Sequence, residues 1–164
     1  MESFDSTKKG LYEILKDVEA GKIQLPDFQR GWVWDDDRIK AIIASVAKSF
    51  PIGAVMLLET GNDNIRFKTK PVEGVNVADA KKPELLILDG QQRITSLYQA
   101  IITKKPVDTL NSKKARIERW YYIDMRKALE PVEAGGFSDK VWLLHNRQLY
   151  KPLNAPVDND LEED

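Results

Sequence analysis

Glu84-Leu85-Leu86-Ile87-Leu88-Asp89-Gly90-Gln91-Gln92-Arg93-Ile94-Thr95-Ser96-Leu97 is an apolar run that breaks at Asp89-Gly90 and resumes with a different period. Residues 84–88 form a buried strand by composition, because a short continuous apolar stretch bounded by turn residues suits a strand covered on both faces. Leu97, Ala100 and Ile101 then recur at helical spacing, so a helix starts near Gln91 and ends before Pro106. The segment therefore reads strand, tight turn, helix.

The same reading extends outward. Leu11, Ile14, Leu15 and Val18 predict a first helix, with Ser6 or Thr7 as its cap and Gly21 as its stop. Residues 23–25 suit a short strand, and Pro26, which has no backbone donor, opens a loop that runs to Trp34. Any of Asp35, Asp36 and Asp37 can cap a second helix whose apolar face carries Ile39, Ile42, Ile43, Val46 and Phe50, and Pro51 stops it. Residues 54–59 read as a mostly buried strand, joined through Gly61-Asn62-Asp63-Asn64 to a paired strand at 65–69, which predicts a hairpin. Residues 71–82 have no clear period and read as surface loop. Further on, 119–124 and 140–144 are candidate strands around a short helical segment at 125–130. There is no internal repeat, and the order is neither a regular βα alternation nor a bundle. The fold class is α+β.

With 164 residues the chain has room for one domain, assigned to residues 1–157, followed by an acidic tail or linker at 158–164. Hydrophobic residues at 42% and charged residues at 31% are a globular balance, and no apolar stretch approaches the roughly 20 residues a bilayer requires. The first residues have neither a basic region nor an apolar run, so the expected location is cytoplasmic, without a membrane. The absence of cysteine excludes disulfides and thiolate zinc sites, and His145 alone cannot build a multi-histidine centre, so any metal needs oxygen ligands. The formal charge is −1, but the tail holds five acids and no base, which leaves 25 bases against 21 acids, or +4, in the body. A mildly basic body permits phosphate-bearing ligands without requiring them.

Two clusters could carry chemistry. At Asp89-Gly90-Gln91-Gln92-Arg93 the start of a helix presents backbone donors to an anion, and Gly90 allows close approach. Arg93 offers a planar cationic fork, Asp89 a hard oxygen ligand for Mg2+, and Gln91 and Gln92 can orient water or a base. The plainer reading makes Asp89 a cap, Gly90 a turn residue and the others ordinary helix surface. The second cluster, residues 26–34, combines Gln29 and Arg30 with Phe28, Trp32 and Trp34. An aromatic there can stack on a base or anchor the loop on the core; anchoring is the expectation for Trp34, and phosphate contact for Arg30.

Residues 23–34 (Ile-Gln-Leu-Pro-Asp-Phe-Gln-Arg-Gly-Trp-Val-Trp), Phe50-Pro51-Ile52-Gly53 and residues 88–97 (Leu-Asp-Gly-Gln-Gln-Arg-Ile-Thr-Ser-Leu), in that order, resemble the N-terminal domain of GmrSD-type restriction proteins. The resemblance covers about residues 8–103. It implies a compact ParB/sulfiredoxin-like domain, a small mixed sheet flanked by helices, within a prokaryotic protein that defends against modified or foreign DNA. It also implies binding and hydrolysis of a nucleoside triphosphate with Mg2+ in one cleft. On this basis Asp89, Gln91 and Arg93 are the expected catalytic residues, and Gln29, Arg30, Gly90, Gln92 and Thr95 the expected nucleotide-binding ones. Asp89 is also the expected metal ligand. Gly31 departs from the pattern: many relatives have proline there, and glycine removes the stiffness that fixes the loop's path. Relatives usually append a nuclease module with a histidine-based metal site, so DNA cleavage by this chain alone is not expected. The expected partners are the nucleotide, DNA in the full-length protein and that absent module, with a homo-oligomer left open. The competing function is a nonenzymatic module that holds DNA or a protein partner through the same groups. A self-sufficient nuclease ranks last.

Overall fold

The computed structural model describes residues 8–61, 67–76 and 82–123. In chain order its elements are α1 (Leu11–Glu19), β1 (Ile23–Pro26), α2 (Asp36–Ala47), β2 (Met56–Glu59), β3 (Thr69–Lys70), β4 (Leu85–Asp89), α3 (Gln91–Ile101), β5 (Val107–Leu110) and β6 (Arg116–Arg119). Four strands form a mixed sheet in the order β2-β4-β1-β3, and β5 pairs with β6 in a second, two-stranded sheet. The arrangement is α+β, as the sequence predicts.

β4 is central because its side chains are apolar on both faces: Leu86 and Ile87 are buried, and only a strand flanked on each edge and covered on each side can bury such a run. It runs parallel to β1, with Ile23 opposite Leu85 and Gln24 opposite Leu86, and antiparallel to β2. α3 follows β4 at once and packs against α1 and α2. Its Ile94 and Leu97 have no exposed surface, and burying such side chains contributes about 1.5–3 kcal/mol each. Leu15 and Val18 of α1, Ile39, Ile42 and Ile43 of α2, and Ile23 and Leu25 of β1 complete the core.

The caps follow local chemistry. Asp35 is the residue that caps α2, accepting a hydrogen bond from the Arg38 amide at 3.1 Å. α1 ends at Glu19, and Gly21 just beyond it, at φ +73°, turns the chain so that the Lys22 amide reaches the Asp17 carbonyl at 2.9 Å. Gly10 caps α1, and Ser6 and Thr7 lie outside the described residues. Phe50, expected on the buried face of α2, lies past the helix end and is 40% exposed.

Among the described residues the expected hairpin is not formed. β2 and β3 lie on opposite edges of the sheet: β2 pairs with β4 over residues 56–59, while β3 pairs with the end of β1. Turn chemistry near Gly61 specifies only that the chain reverses, whereas the pairing partner is chosen by burial, and β4 offers β2 a far larger apolar edge than the two-residue β3 does. As an edge strand β2 is also less buried than expected, with Met56 45% exposed.

Pairing of β5 with β6 was not anticipated; residues 119–124, expected as a strand, begin where β6 ends. The turn between them is built on Asn111, whose Oδ1 accepts from the amides of Lys113 at 2.9 Å and Ala115 at 3.0 Å. Beyond β6, the Tyr121 hydroxyl donates to Oδ1 of buried Asp36 at 3.0 Å and ties this segment to α2; burial holds that hydroxyl well above the ordinary tyrosine range, and the Asp36 charge adds to the shift. The expected helix at 125–130, the strand at 140–144, His145 and the acidic tail lie outside the described residues, as does the turn at 62–64. Among the described residues no helix is long and apolar enough to cross a membrane.

The topology has a direct consequence for the site. Because β1 and β4 are parallel neighbours, the loop after β1 and the turn after β4 leave the sheet at the same end.

Candidate functional site

At that end lies a cleft of about 400 Å³ lined by Gln29, Arg30, Trp34, Leu88, Asp89, Gly90, Gln91, Gln92 and Arg93. The two sequence clusters, some 60 residues apart in the chain, meet there. Of the residues expected in the site, Thr95 is the exception: it is fully buried inside α3, does not line the cleft, and its Oγ1 has no hydrogen-bond partner among the described residues.

Gly90 turns the chain from β4 into α3 at φ +89°, a region that disfavours any residue with a Cβ, and it supplies no side-chain cap. The uncapped start of α3, residues 90–93, therefore lines the cleft and brings the positive end of the helix dipole to it. Arg30 is exposed, while the Arg93 side chain is 24% exposed and held from behind. Its Nη1 donates to the Ile52 carbonyl at 2.8 Å and its Nη2 to the Ala54 carbonyl at 2.7 Å. Asp89 lies 3.5 Å from Nη2 and is 74% exposed at the cleft's lip. Gly53 lies directly under the guanidinium: a Cβ there would come within 2.1 Å of Nη1. Residues 52–54 are therefore the cradle of Arg93, and they overlap the Phe50-Pro51-Ile52-Gly53 segment, which had no assigned role in the sequence.

The glutamines build the loop. Gln91 Nε2 donates to the Arg30 carbonyl at 2.7 Å. Gln92, expected to contact phosphate, is instead bonded at both ends of its amide: Nε2 donates to the Gly31 carbonyl at 3.1 Å and Oε1 accepts from the Val33 amide at 2.9 Å. Gln29 Nε2 donates to the carbonyls of Ile87 and Leu88, both at 2.9 Å, and so joins the first loop to the end of β4. Lys70 Nζ donates to the Gln29 carbonyl at 2.6 Å.

Two residues that sequence reasoning passed over complete the frame. Glu73 Oε1 accepts from the Trp32 amide at 2.9 Å, while its Oε2 is buried without a partner among the described residues. Ser96 Oγ accepts from the Trp32 indole at 2.9 Å, so Trp32 is an anchor. Trp34 packs against the core, as expected, and also lines the cleft. Nothing in the composition around Glu73 marks it, since its partner lies 41 residues away.

These bonds replace the stiffness that a proline at position 31 would supply. Gly31 has no positive φ, and among the described residues a Cβ there would meet only Glu73 Oε1, at an ordinary 3.6 Å. Gly31→Ala should therefore fold unstrained and raise stability by about 0.4–1 kcal/mol by restricting the unfolded chain. Thermal melts check this: a rise of roughly 1–4 °C is expected, and a fall would mean that the loop needs glycine's freedom.

Among the described residues no group of three or more acids or histidines could by itself hold a metal ion. Among the described residues, Asp89 is the only carboxylate lining the cleft. That donor set fits Mg2+, which keeps several waters and is commonly bound through one or two carboxylates together with the phosphates of its ligand.

The family model described as GmrSD restriction endonuclease, N-terminal domain, matches residues 11–161. Uncharacterized protein MJ0686 of Methanocaldococcus jannaschii is 33% identical over 127 residues, which cover 74% of this chain and 21% of that protein. The chain thus spans about a fifth of the length of the curated relative it matches.

Proposed function

The chain belongs to the family of GmrSD restriction endonuclease N-terminal domains, and on that premise we propose that its cleft binds a nucleoside triphosphate with Mg2+ and hydrolyses it, as the regulatory module of a DNA restriction and defence protein. The observation that carries this reading is the convergence of Arg30, Arg93 and the uncapped start of α3 on one cleft. Two guanidinium groups and a helix start around a concavity suit a polyanion; Arg93 and the start of α3 come from one segment, and Arg30 comes from another.

The residues divide the work by what their bonds leave free. Arg93 is fixed by two backbone carbonyls, so the rest of its fork meets phosphate oxygens without losing side-chain entropy on binding. Arg30 adds the second charge from the opposite loop. Gln91 Oε1 accepts from no described residue and can take a proton-bearing water, whereas Gln92 serves as the clamp of the first loop. Asp89 would hold Mg2+, which when bound neutralises charge on the phosphates. Fixed positive charge aimed at the departing oxygens is the main means by which such a site speeds phosphoryl transfer. DNA, the nuclease module and a second copy of the chain are the partners proposed for the full-length protein; this chain carries the nucleotide site.

Calorimetric titration with a nonhydrolysable triphosphate and Mg2+ tests the reading, alongside phosphate release from the natural nucleotide. Arg30→Ala should weaken binding by about 10- to 100-fold, as removal of one charge-assisted contact does, with an unchanged melting temperature because the side chain is exposed. Salt-dependent DNA affinity without any heat from nucleotide would instead support the nonenzymatic module and overturn this proposal.

A further inference from the structure

We propose that Trp34 is the stacking face for the aromatic base of the bound nucleotide, an assignment that rests on the phosphate reading of the cleft. Among the described residues, Trp34 is the one aromatic that lines the cleft. Arg30, Arg93 and the start of α3 claim the phosphate end, so a ligand that carries a base must place it elsewhere in a space of about 400 Å³. That volume falls within the range of small-ligand pockets.

The backbone at Trp34 is held at its own carbonyl and at the residue that follows. Its carbonyl accepts from Thr109 Oγ1 at 2.8 Å. The next residue, Asp35, forms a parallel bridge with Leu110 and caps α2. The side chain packs on the core, and the residue is half-buried. A rigid aromatic held in this way binds a flat ligand with little further ordering. The β5–β6 pair, which has no other part in the cleft, thereby acquires one: it positions the tryptophan.

Recognition would use the face of the base rather than its edge. The side-chain amides of Gln29, Gln91 and Gln92 already donate to backbone carbonyls, which leaves few donors to read a base edge. Stacking tolerates any base, because every base has a π-face. The site should therefore accept ATP and GTP with similar affinity and discriminate strongly against a triphosphate that carries no base. Phe28 is the rival platform: it is 66% exposed and stacked edge-on with Phe67 at 5.5 Å, but it does not line the cleft.

The experiment compares ATP, GTP and inorganic tripolyphosphate, each with Mg2+, by calorimetry on the wild-type chain, Trp34→Leu, Trp34→Phe and Phe28→Ala. Wild type should prefer the nucleotides over tripolyphosphate by about 10- to 100-fold, as stacking on one aromatic provides. Trp34→Leu should lose most of that preference and retain tripolyphosphate affinity, while Trp34→Phe should keep much of it. If Trp34→Leu does not melt cooperatively, fluorescence replaces it: ATP but not tripolyphosphate should quench wild-type emission, and Trp34→Phe should lose the quench. An unaltered preference in Trp34→Leu, an unaltered quench in Trp34→Phe, or loss of the preference in Phe28→Ala overturns the assignment. Tripolyphosphate binding with no preference for nucleotide overturns it alone and spares the phosphate reading. Failure of all three ligands to bind wild type overturns both.

Discussion

Gly53→Ala should lower stability by about 3 kcal/mol or more and remove nucleotide binding at the same time. The Cβ would fall 2.1 Å from Nη1 of Arg93, so the guanidinium must leave its seat. Long side chains usually yield to such contacts at little cost, but this one is bonded to the Ile52 and Ala54 carbonyls, and moving it breaks both bonds. A hydrogen bond to a charged group contributes about 1.5–3 kcal/mol, and a left-handed conformation at a residue with a Cβ costs a further 1–2 kcal/mol or so. Gly53 has a φ of +87°, so both penalties apply. The melting temperature should fall by roughly 6–12 °C. Gly61→Ala separates the two causes: Gly61 has a φ of +112° and no described atom within 4 Å of where a Cβ would stand, so it should show the backbone penalty alone. If Gly53→Ala behaves like Gly61→Ala, the cradle does not hold Arg93. A double-mutant cycle sharpens the test, since Gly53→Ala and Arg93→Ala remove the same contacts and their costs should be far from additive.

How much of this fold could be read beforehand depends on whether the signal was local. The turn at Asp89-Gly90, the Asp35 cap and the Gly21 stop are each set by residues within one helical turn, and each formed as read. β4 was legible from its apolar run. Its neighbours were not, because the choice between a hairpin with 65–69 and a ladder with β4 is decided by surfaces distant in sequence. The β5–β6 pair had a usable sign in Asn111, a turn-favouring residue between two short segments, but neither segment is apolar enough to announce a strand.

The site divides in the same way. Residue types at Arg30 and residues 89–93 indicated that an anion could be held, and the parallel pairing of β1 with β4 brings them together. The direction in which each glutamine amide points was not legible, because the type alone offers two donors and an acceptor to any partner. Thr95 illustrates the limit: its place in the motif put it among the binding residues, whereas helical periodicity turns it into the core, on the same helix as Ile94 and Leu97. Arg93's cradle was invisible for a further reason. Its acceptors are main-chain carbonyls, which every residue carries, and only the glycine beneath the guanidinium leaves a mark in the sequence.

Gln92→Leu is the substitution that asks whether the cleft depends on charge alone or on charge held in place. Leucine matches the volume of the amide but leaves the Gly31 carbonyl and the Val33 amide without their partner. Both of those residues are exposed, so water replaces part of what is lost, and the cost should be about 2 kcal/mol rather than the larger sum for two fully buried groups. Arg30 remains in the chain, yet the carbonyl next to it in sequence, that of Gly31, is no longer held, and only the Gln91 bond to Arg30 itself persists. Nucleotide affinity should then drop by about tenfold or more, comparable to Arg30→Ala, whereas the melting temperature should fall only in Gln92→Leu. Hydrogen exchange supplies a readout independent of binding: the Val33 amide should lose protection in Gln92→Leu and keep it in Arg30→Ala. Wild-type affinity in Gln92→Leu would show that Arg30 finds the phosphates from a loose loop. The clamp would then serve only to hold the protein together, and the placement of the cationic groups would owe nothing to the glutamine beside Arg93.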